Sequence, residues 1–334
     1  MELEQFRDRF RKLFKGEMEF EEGREFLIEV ANRPLNGKIL AEAAKIMREF
    51  SIKLPVPPDL QRRLIDIVGT GGDRKGSFNI STTTALLLSS IGSFVAKHGN
   101  RSVTSKSGSG DLLEQLGFNL NLPPEAQVEL LKRVRFTFIF AVNYHPGMRH
   151  IMPIRRSIPH PTIFNLLGPL TNPAGATRYL LGVYAPELLD PVAEALQKLG
   201  VERGLVVSSS DGLDEVSIGG VTYCRLVEGG EIRELEIDPV QFGLKGSWEN
   251  LKGGTPEENS QITRRLLSGE EGGDKLKALL LSGGVALWVD RQVGSIEEGI
   301  DRCRQEIGKG RGEAHLKRIV EESWRVVGKE PPVQ

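Results

Sequence analysis

The sequence predicts an α/β protein, with a small N-terminal helical domain and a larger domain built on a mostly parallel central sheet flanked by helices. Three observations predict it. From residue 63 onward, short apolar runs alternate with stretches of helical periodicity, the pattern of a parallel sheet covered on both faces. Before residue 63 the periodicity is helical. The segments at 69, 98, 142 and 208 each begin where an apolar run ends, so they gather at the carboxyl ends of strands, where such sheets bind ligands. The boundaries expected are 1–62 for the small domain, completed by helices around 147–175, and 63–334 for the large domain.

The elements follow in order. Phe6, Phe10 and Phe14 recur at i, i+4, i+8, and Leu40, Ala44 and Met47 at i, i+4, i+7, each marking one helix face. Pro34 to Gly37 breaks the run, and the proline-containing segment 54–58 suits a stiff hinge into the sheet. Residues 65–68 read as the first strand, 83–91 as a helix with cap candidates at Asn79 to Thr82, and 94–97 as the second strand. Small residues and hydroxyls at 105–111 are expected to close the space between the two loops. Further strands are expected at 136–141, 180–184 and 204–208, with a helix over 186–199. Residues 221–237, with Glu228-Gly229-Gly230 at the middle, read as a β-hairpin excursion, and 255–268 and 274–326 as helices.

Lys and Arg number 44 against 45 Asp and Glu in 334 residues, which leaves no general field for nucleic acid. Cys224 and Cys303 have no metal-ligand spacing and point to a reducing compartment. The polar start MELEQFRDRF is no signal peptide, and no apolar run has the length of a membrane span. A soluble, cytoplasmic protein without membrane or nucleic-acid partners is expected.

Chemistry concentrates in 66–111. Two glycine-rich loops flank an apolar helix, and free N–H groups at its start favour an anion, most naturally a phosphate. The loop is not G-x-G-x-x-G, which would need glycine where Arg74 stands, and no G-x-x-x-x-G-K-[ST] occurs. Asp214 and Glu215, in SSSDGLDEVS, are hard oxygen donors on a loop after a strand, suited to Mg²⁺ held jointly with substrate phosphates. Arg155 carries a planar fork that fits a carboxylate, as does its neighbour Arg156.

GTGGD, FNIST, KHGNR and SGSGD, followed by FAVNYHPGM, RRSIPHPTIFNLLGPLTNP, DGLDE and GGTPEEN, resemble the successive signatures of the anthranilate phosphoribosyltransferase family, over nearly the whole chain. The resemblance implies transfer of phosphoribose from PRPP to anthranilate in tryptophan biosynthesis, with Mg²⁺ as cofactor and a homodimeric assembly. It implies that Gly69, Gly71, Gly72, Asp73, Ser77, Asn79, Ser81, Thr82, Lys97 and Ser109 bind PRPP, with Ser81, Asp214 and Glu215 on the metal. Gly69, His98, Asn100, His145, Arg155 and the Gly168-Pro169 turn would meet anthranilate, the two histidines as positioning groups or as acid and base. Two other readings share the fold: a nucleic-acid binder without transferase activity, which requires an excess of basic residues, and a pyrimidine nucleoside phosphorylase, which has no need of Arg155. The chain departs from the family pattern at Arg74-Lys75, at Ser157 to Pro161 and at 279–284. Arg74 and Lys75 are expected to swing out into solvent in the free protein and to fold over the diphosphate.

Overall fold

The computed structural model describes residues 1–102 and 106–332. Ser105, the first of the small residues expected to close the site, lies outside the described residues. The chain opens with α1 (Leu3–Lys15), α2 (Phe20–Ala31) and α3 (Gly37–Glu49). Gly16 ends α1 in the left-handed region at φ 71°, and the Asn36 side chain accepts the Ile39 N–H at 3.0 Å to start α3. A short α4 (Pro58–Gln61) leads into β1 (Leu64–Gly69), then α5 (Ile80–Ile91), β2 (Phe94–Gly99), α6 (Ser109–Gln115), α7 (Pro124–Val134) and β3 (Phe136–Phe140). Next come α8 (Ala141–Tyr144), α9 (Met148–Arg156), α10 (Phe164–Leu167), β4 (Arg178–Gly182), α11 (Leu189–Lys198) and β5 (Arg203–Ser209). The hairpin β6 (Thr222–Glu228) and β7 (Glu231–Ile237) precedes α12 (Pro256–Ser268), α13 (Gly273–Val289), α14 (Ile296–Gly308) and α15 (Arg311–Arg325).

The strands form one seven-stranded sheet in the order β3-β2-β1-β4-β5-β6-β7. The first five are parallel, and β6 and β7 pair antiparallel to β5 and to each other. Chain order reverses between β1 and β4, so the crevice above their carboxyl ends is the switch point where ligands of such sheets sit. Alternation along each strand sends side chains to two cores. Ile65, Ile67, Val95, Phe138 and Leu205 pack toward α5 and α13, whereas Leu64, Ala96, Ile139, Tyr179 and Val206 pack toward α1, α3 and α11.

Three expectations are corrected here. Helix α5 starts at Ile80 rather than at 83, so Ser81 and Thr82 lie in its first turn. Asn79 takes the cap position without a capping bond, because its side chain is engaged elsewhere. The hairpin is no excursion. Two adjacent glycines at positive φ, Gly229 and Gly230, turn the chain back so that β6 extends the sheet from β5.

Candidate active site

At their carboxyl ends β1 and β2 are held apart. The β1–β2 register runs only from Leu64 opposite Phe94 to Ile65 opposite Val95, while β1–β4 continues to Gly69 opposite Gly182. Past Ile65, side chains take the main-chain groups that face across the gap. Lys97 Nζ donates to Ile67 O, Asn172 Nδ2 to Ala96 O at 2.8 Å, and the His98 N–H to Asp66 Oδ1 at 3.2 Å. Consecutive residues of β2 therefore serve opposite faces. Lys97 points toward α5 and meets Ser81 Oγ at 3.3 Å, and His98 points toward the face that the N-terminal helices cover.

On the α5 side, the glycine loop after β1 meets the turn after β5. Asp211 shapes that turn, accepting from Ser209 Oγ at 2.6 Å and from Ser217 Oγ, with Gly212 at φ 84°. Asp214 is thereby pressed against the loop, and its Oδ2 accepts the Gly71 N–H at 2.7 Å. A Cβ on Gly69 would lie 2.6 Å from that carboxylate, and one on Gly182 would overlap the Asp214 carbonyl. Glycine is required at both positions by this close approach.

Burial and then the Asp73 charge push the Asp214 carboxyl up to about 7. Burial and the Asp214 charge push Glu215 well above its usual range. Burial pulls the Lys97 ammonium down, and Asp66, Glu215 and Asp214 draw it back up. Carboxylates that hold protons for want of counter-charge are a hard donor set that fits Mg²⁺. No group of three or more His, Cys, Asp or Glu side chains is arranged to hold a metal among the described residues. The protein thus offers part of a coordination shell, as an ion shared with phosphate oxygens requires.

The remaining residues of this half adjoin α5. Thr82 Oγ1 donates to Ser109 Oγ at 3.1 Å. Asn79 Nδ2 donates to Ser107 O at 3.0 Å, and its Oδ1 accepts from Asn259 Nδ2 at 2.9 Å. Ser77 bridges to Lys252, which ties the far end of the glycine loop to 251–253 together with Phe78 N–H to Leu251 O at 2.8 Å.

On the opposite face, His98 Nδ1 stands 3.0 Å from Gly168 O and its Nε2 3.1 Å from His145 Nε2. A carbonyl only accepts, so His98 carries its proton on Nδ1. Its Nε2 then accepts from His145, whose Nδ1 is left as a buried acceptor without a partner. Burial and then His145 pull His98 down to about 3, and burial pulls His145 down to about 4, so both rings are neutral near pH 7. Pro169 is buried in the turn beside them, and Asn100 is exposed on the loop after β2. Arg155 occupies the last turn of α9, half-buried, while Arg156 is exposed. Among the described residues no carboxylate pairs with Arg155, and burial lowers its pKa.

The profile described as "Glycosyl transferase family, a/b domain" matches residues 61–313. An "Anthranilate phosphoribosyltransferase" of Albidiferax ferrireducens is 44% identical over 87% of this chain and 83% of its own. The crystal structure of the enzyme of that name from Thermus thermophilus matches with a TM-score of 0.89 at 42% identity, covering 97% of this chain and 96% of the other. The chain belongs to the anthranilate phosphoribosyltransferase family. A Saccharomyces cerevisiae member in complex with PRPP and Mg matches at TM-score 0.83 and 29% identity, over 91% and 85% of the two chains. Another, in complex with 4-fluoroanthranilate, matches at 0.86 and 26%, over 96% and 93%.

Within this anthranilate phosphoribosyltransferase family scaffold, the structure packs Gly69 and Gly71 against Asp214, sets Lys97 beside Ser81, and pairs His98 with His145. It does not join Arg155 to them by any hydrogen bond among the described residues. Arg74 is exposed as expected, at φ 55°. Lys75 is half-buried rather than swung out: its ammonium lies 4.2 Å from the Trp248 ring centroid, because the aromatic face attracts the cation. Sequence reasoning missed Asp66, Asn172 and Asn259. A carboxylate inside the apolar strand LIDIVG was the one signal that could have flagged the first.

Proposed function

We propose that this protein transfers the phosphoribosyl group of PRPP to the amine of anthranilate, giving N-(5-phosphoribosyl)anthranilate and pyrophosphate in tryptophan biosynthesis. The observation that carries the reading is the likeness to enzymes of that name along almost the whole chain, with the metal-suited carboxylates and the glycine loop meeting at the switch point. The loop from Gly69 to Asp73, with Ser77, Asn79, Ser81, Thr82, Lys97 and Ser109, would hold PRPP. Asp214, Glu215 and Ser81 would hold Mg²⁺, which when bound neutralises the charge that develops on the leaving diphosphate. Arg155 would pair with the anthranilate carboxylate, and Gly69, His98, Asn100, His145 and Pro169 would bound the ring.

An aromatic amine already presents its lone pair at neutral pH, so its nitrogen needs positioning in line with the anomeric carbon more than a base. Neutral, mutually bonded His98 and His145 suit that positioning role. We also read the chain as a small lobe (1–62, completed around 147–175) on a large lobe (63–334), and the protein as a cytoplasmic homodimer. Mass measurement in solution tests the dimer. No helix among the described residues is long and apolar enough to cross a membrane.

The direct test mixes protein, PRPP, MgCl₂ and anthranilate and follows anthranilate fluorescence. Loss of signal that needs both PRPP and Mg²⁺ is expected. Unchanged fluorescence at saturating substrates, with folded protein, would overturn the reading.

A further inference from the structure

We infer that Asp66 and Asn172 are positioning residues for the acceptor half of the site: they close a ring of hydrogen bonds that fixes His98 against the Gly168-Pro169 turn. The inference rests on the proposed reading of that half as the anthranilate side.

Asp66 sits in an otherwise apolar strand, fully buried, and points into the core shared with the N-terminal helices. A carboxylate there is costly unless each oxygen is bonded. Oδ1 accepts the His98 N–H at 3.2 Å and Oδ2 accepts Asn172 Nδ2 at 2.8 Å. The second proton of Asn172 Nδ2 goes to Ala96 O at 2.8 Å, and its Oδ1 accepts the Ala174 N–H at 2.8 Å. The amide is committed on both ends and cannot flip without losing bonds. From His98 the ring continues through Nδ1–H to Gly168 O and returns along the chain to Asn172.

Two consequences follow from this circuit. Asp66 and Asn172 take the His98 N–H and Ala96 O that would otherwise continue the β1–β2 ladder, so they keep the strands open where Lys97 and His98 diverge. They also fix the spacing between His98 and Pro169, which belong to different segments. Neither Asp66 nor Asn172 needs to touch substrate. A shell of this kind sets the geometry of the groups that do.

The test compares Asp66→Asn with the wild type. Asparagine at 66 can still accept from His98 N–H, but its amide meets the Asn172 amide donor to donor. The anthranilate KM is expected to rise about tenfold, with the PRPP KM within about twofold. The reciprocal pair Asp66→Asn/Asn172→Asp restores a donor facing an acceptor and should recover part of the anthranilate KM. Recovery stays partial because a carboxylate at 172 cannot donate to Ala96 O. Equal rises in both KM values for Asp66→Asn would reduce the network to a structural role and overturn the inference.

A second readout needs neither turnover nor a folded variant. Long-range ¹H–¹⁵N correlation of ¹⁵N-histidine-labelled wild-type protein should show His98 as the Nδ1–H tautomer with a slowly exchanging proton. An Nε2–H tautomer or rapid exchange would sink the inference by itself. Absence of any turnover in the wild type would instead count against the proposed function, leaving this spectroscopic result to stand or fall alone.

Discussion

The Asp214 carboxyl sets up a conflict between stability and chemistry at the scale of one residue. It loses its proton near 3.9 in an unfolded chain but near 7 in the folded metal-free protein. At this carboxyl the folded state therefore binds more protons than the unfolded state between these values, so its contribution to metal-free stability falls as pH rises from about 4 to 7. Asp66, raised to about 6 chiefly by burial, adds to the same slope. Asp214→Asn should raise the Tm of metal-free protein at pH 8 by ~2–4 °C and abolish turnover. Neutral buried His98 and His145 give the wild-type Tm an opposing slope below about pH 6.5. Scanning calorimetry in EDTA therefore checks the sign through the Tm difference between Asp214→Asn and wild type, which should be larger at pH 8 than at pH 5; a difference that shrinks with pH would contradict it.

Arg155 poses the same kind of question on the acceptor side. A half-buried guanidinium with no carboxylate partner among the described residues has already lost part of its hydration, so a substrate carboxylate gains much of a charge-assisted bond. Arg155→Ala should raise the anthranilate KM by one to two decades, from ~1.5–3 kcal/mol. Arg156→Ala, at an exposed position, should change it far less. Steady-state kinetics on both variants decide between the two arginines, which composition alone left equivalent.

Among the elements, the glycine loop between β1 and α5 combines a tether and a free stretch. Its far end is fixed by Ser77 and Phe78, and its middle holds Gly71, Gly72, Arg74 and Gly76 at positive φ. Arginine in that region costs about 1 kcal/mol relative to glycine. Arg74→Gly should therefore leave the metal-free protein slightly more stable, whatever it does to PRPP affinity. Lys75 is parked on Trp248, a contact worth ~0.5–1 kcal/mol. If pyrophosphate with Mg²⁺ draws Lys75 away, Trp248 emission changes on binding, and Lys75→Met removes the change. A ligand-induced change of equal size in Lys75→Met would show that the tryptophan reports something else.

The legibility of the elements follows from what each depends on. The strands were readable as short apolar runs, which end at glycine in β1, β2 and β4, and the segments that follow them marked the ligand side. The start of α5 was misread because Asn79, a good cap by type, gives its side chain to Ser107 and Asn259 instead. Helix α9 was expected only within a helical stretch around 147–175, because Pro153 lies inside it and Pro159 follows it, which blurs its bounds. The Lys75–Trp248 contact and the Asp66–Asn172 bond join residues far apart in sequence, and no local pattern encodes them.

At the scale of the molecule, the sheet divides the work by its two faces. Residues of the phosphate half share a core with α5 and α13, whereas those of the acceptor half share one with the N-terminal helices. The link to the second core is direct. Phe164, on the segment that carries Pro169, stacks on Phe10 with centroids 5.7 Å apart and planes at 17°, and meets Phe14 at 6.1 Å. Phe10 in turn packs on Phe6 and Phe26. A change in this aromatic cluster should reach the acceptor half and spare the phosphate half. Phe10→Leu should cost roughly 1–2 kcal/mol in stability and raise the anthranilate KM severalfold, because the 164–170 segment loses its stacking partner. The PRPP KM should stay near the wild-type value, since Lys97, Ser81 and the glycine loop pack on the other side. A matched substitution in the first core, Leu87→Ala on α5, should show the opposite bias after correction for the folded fraction. Parallel shifts in both KM values for both variants would mean that the faces are not separable and that the sheet transmits packing changes across its whole width.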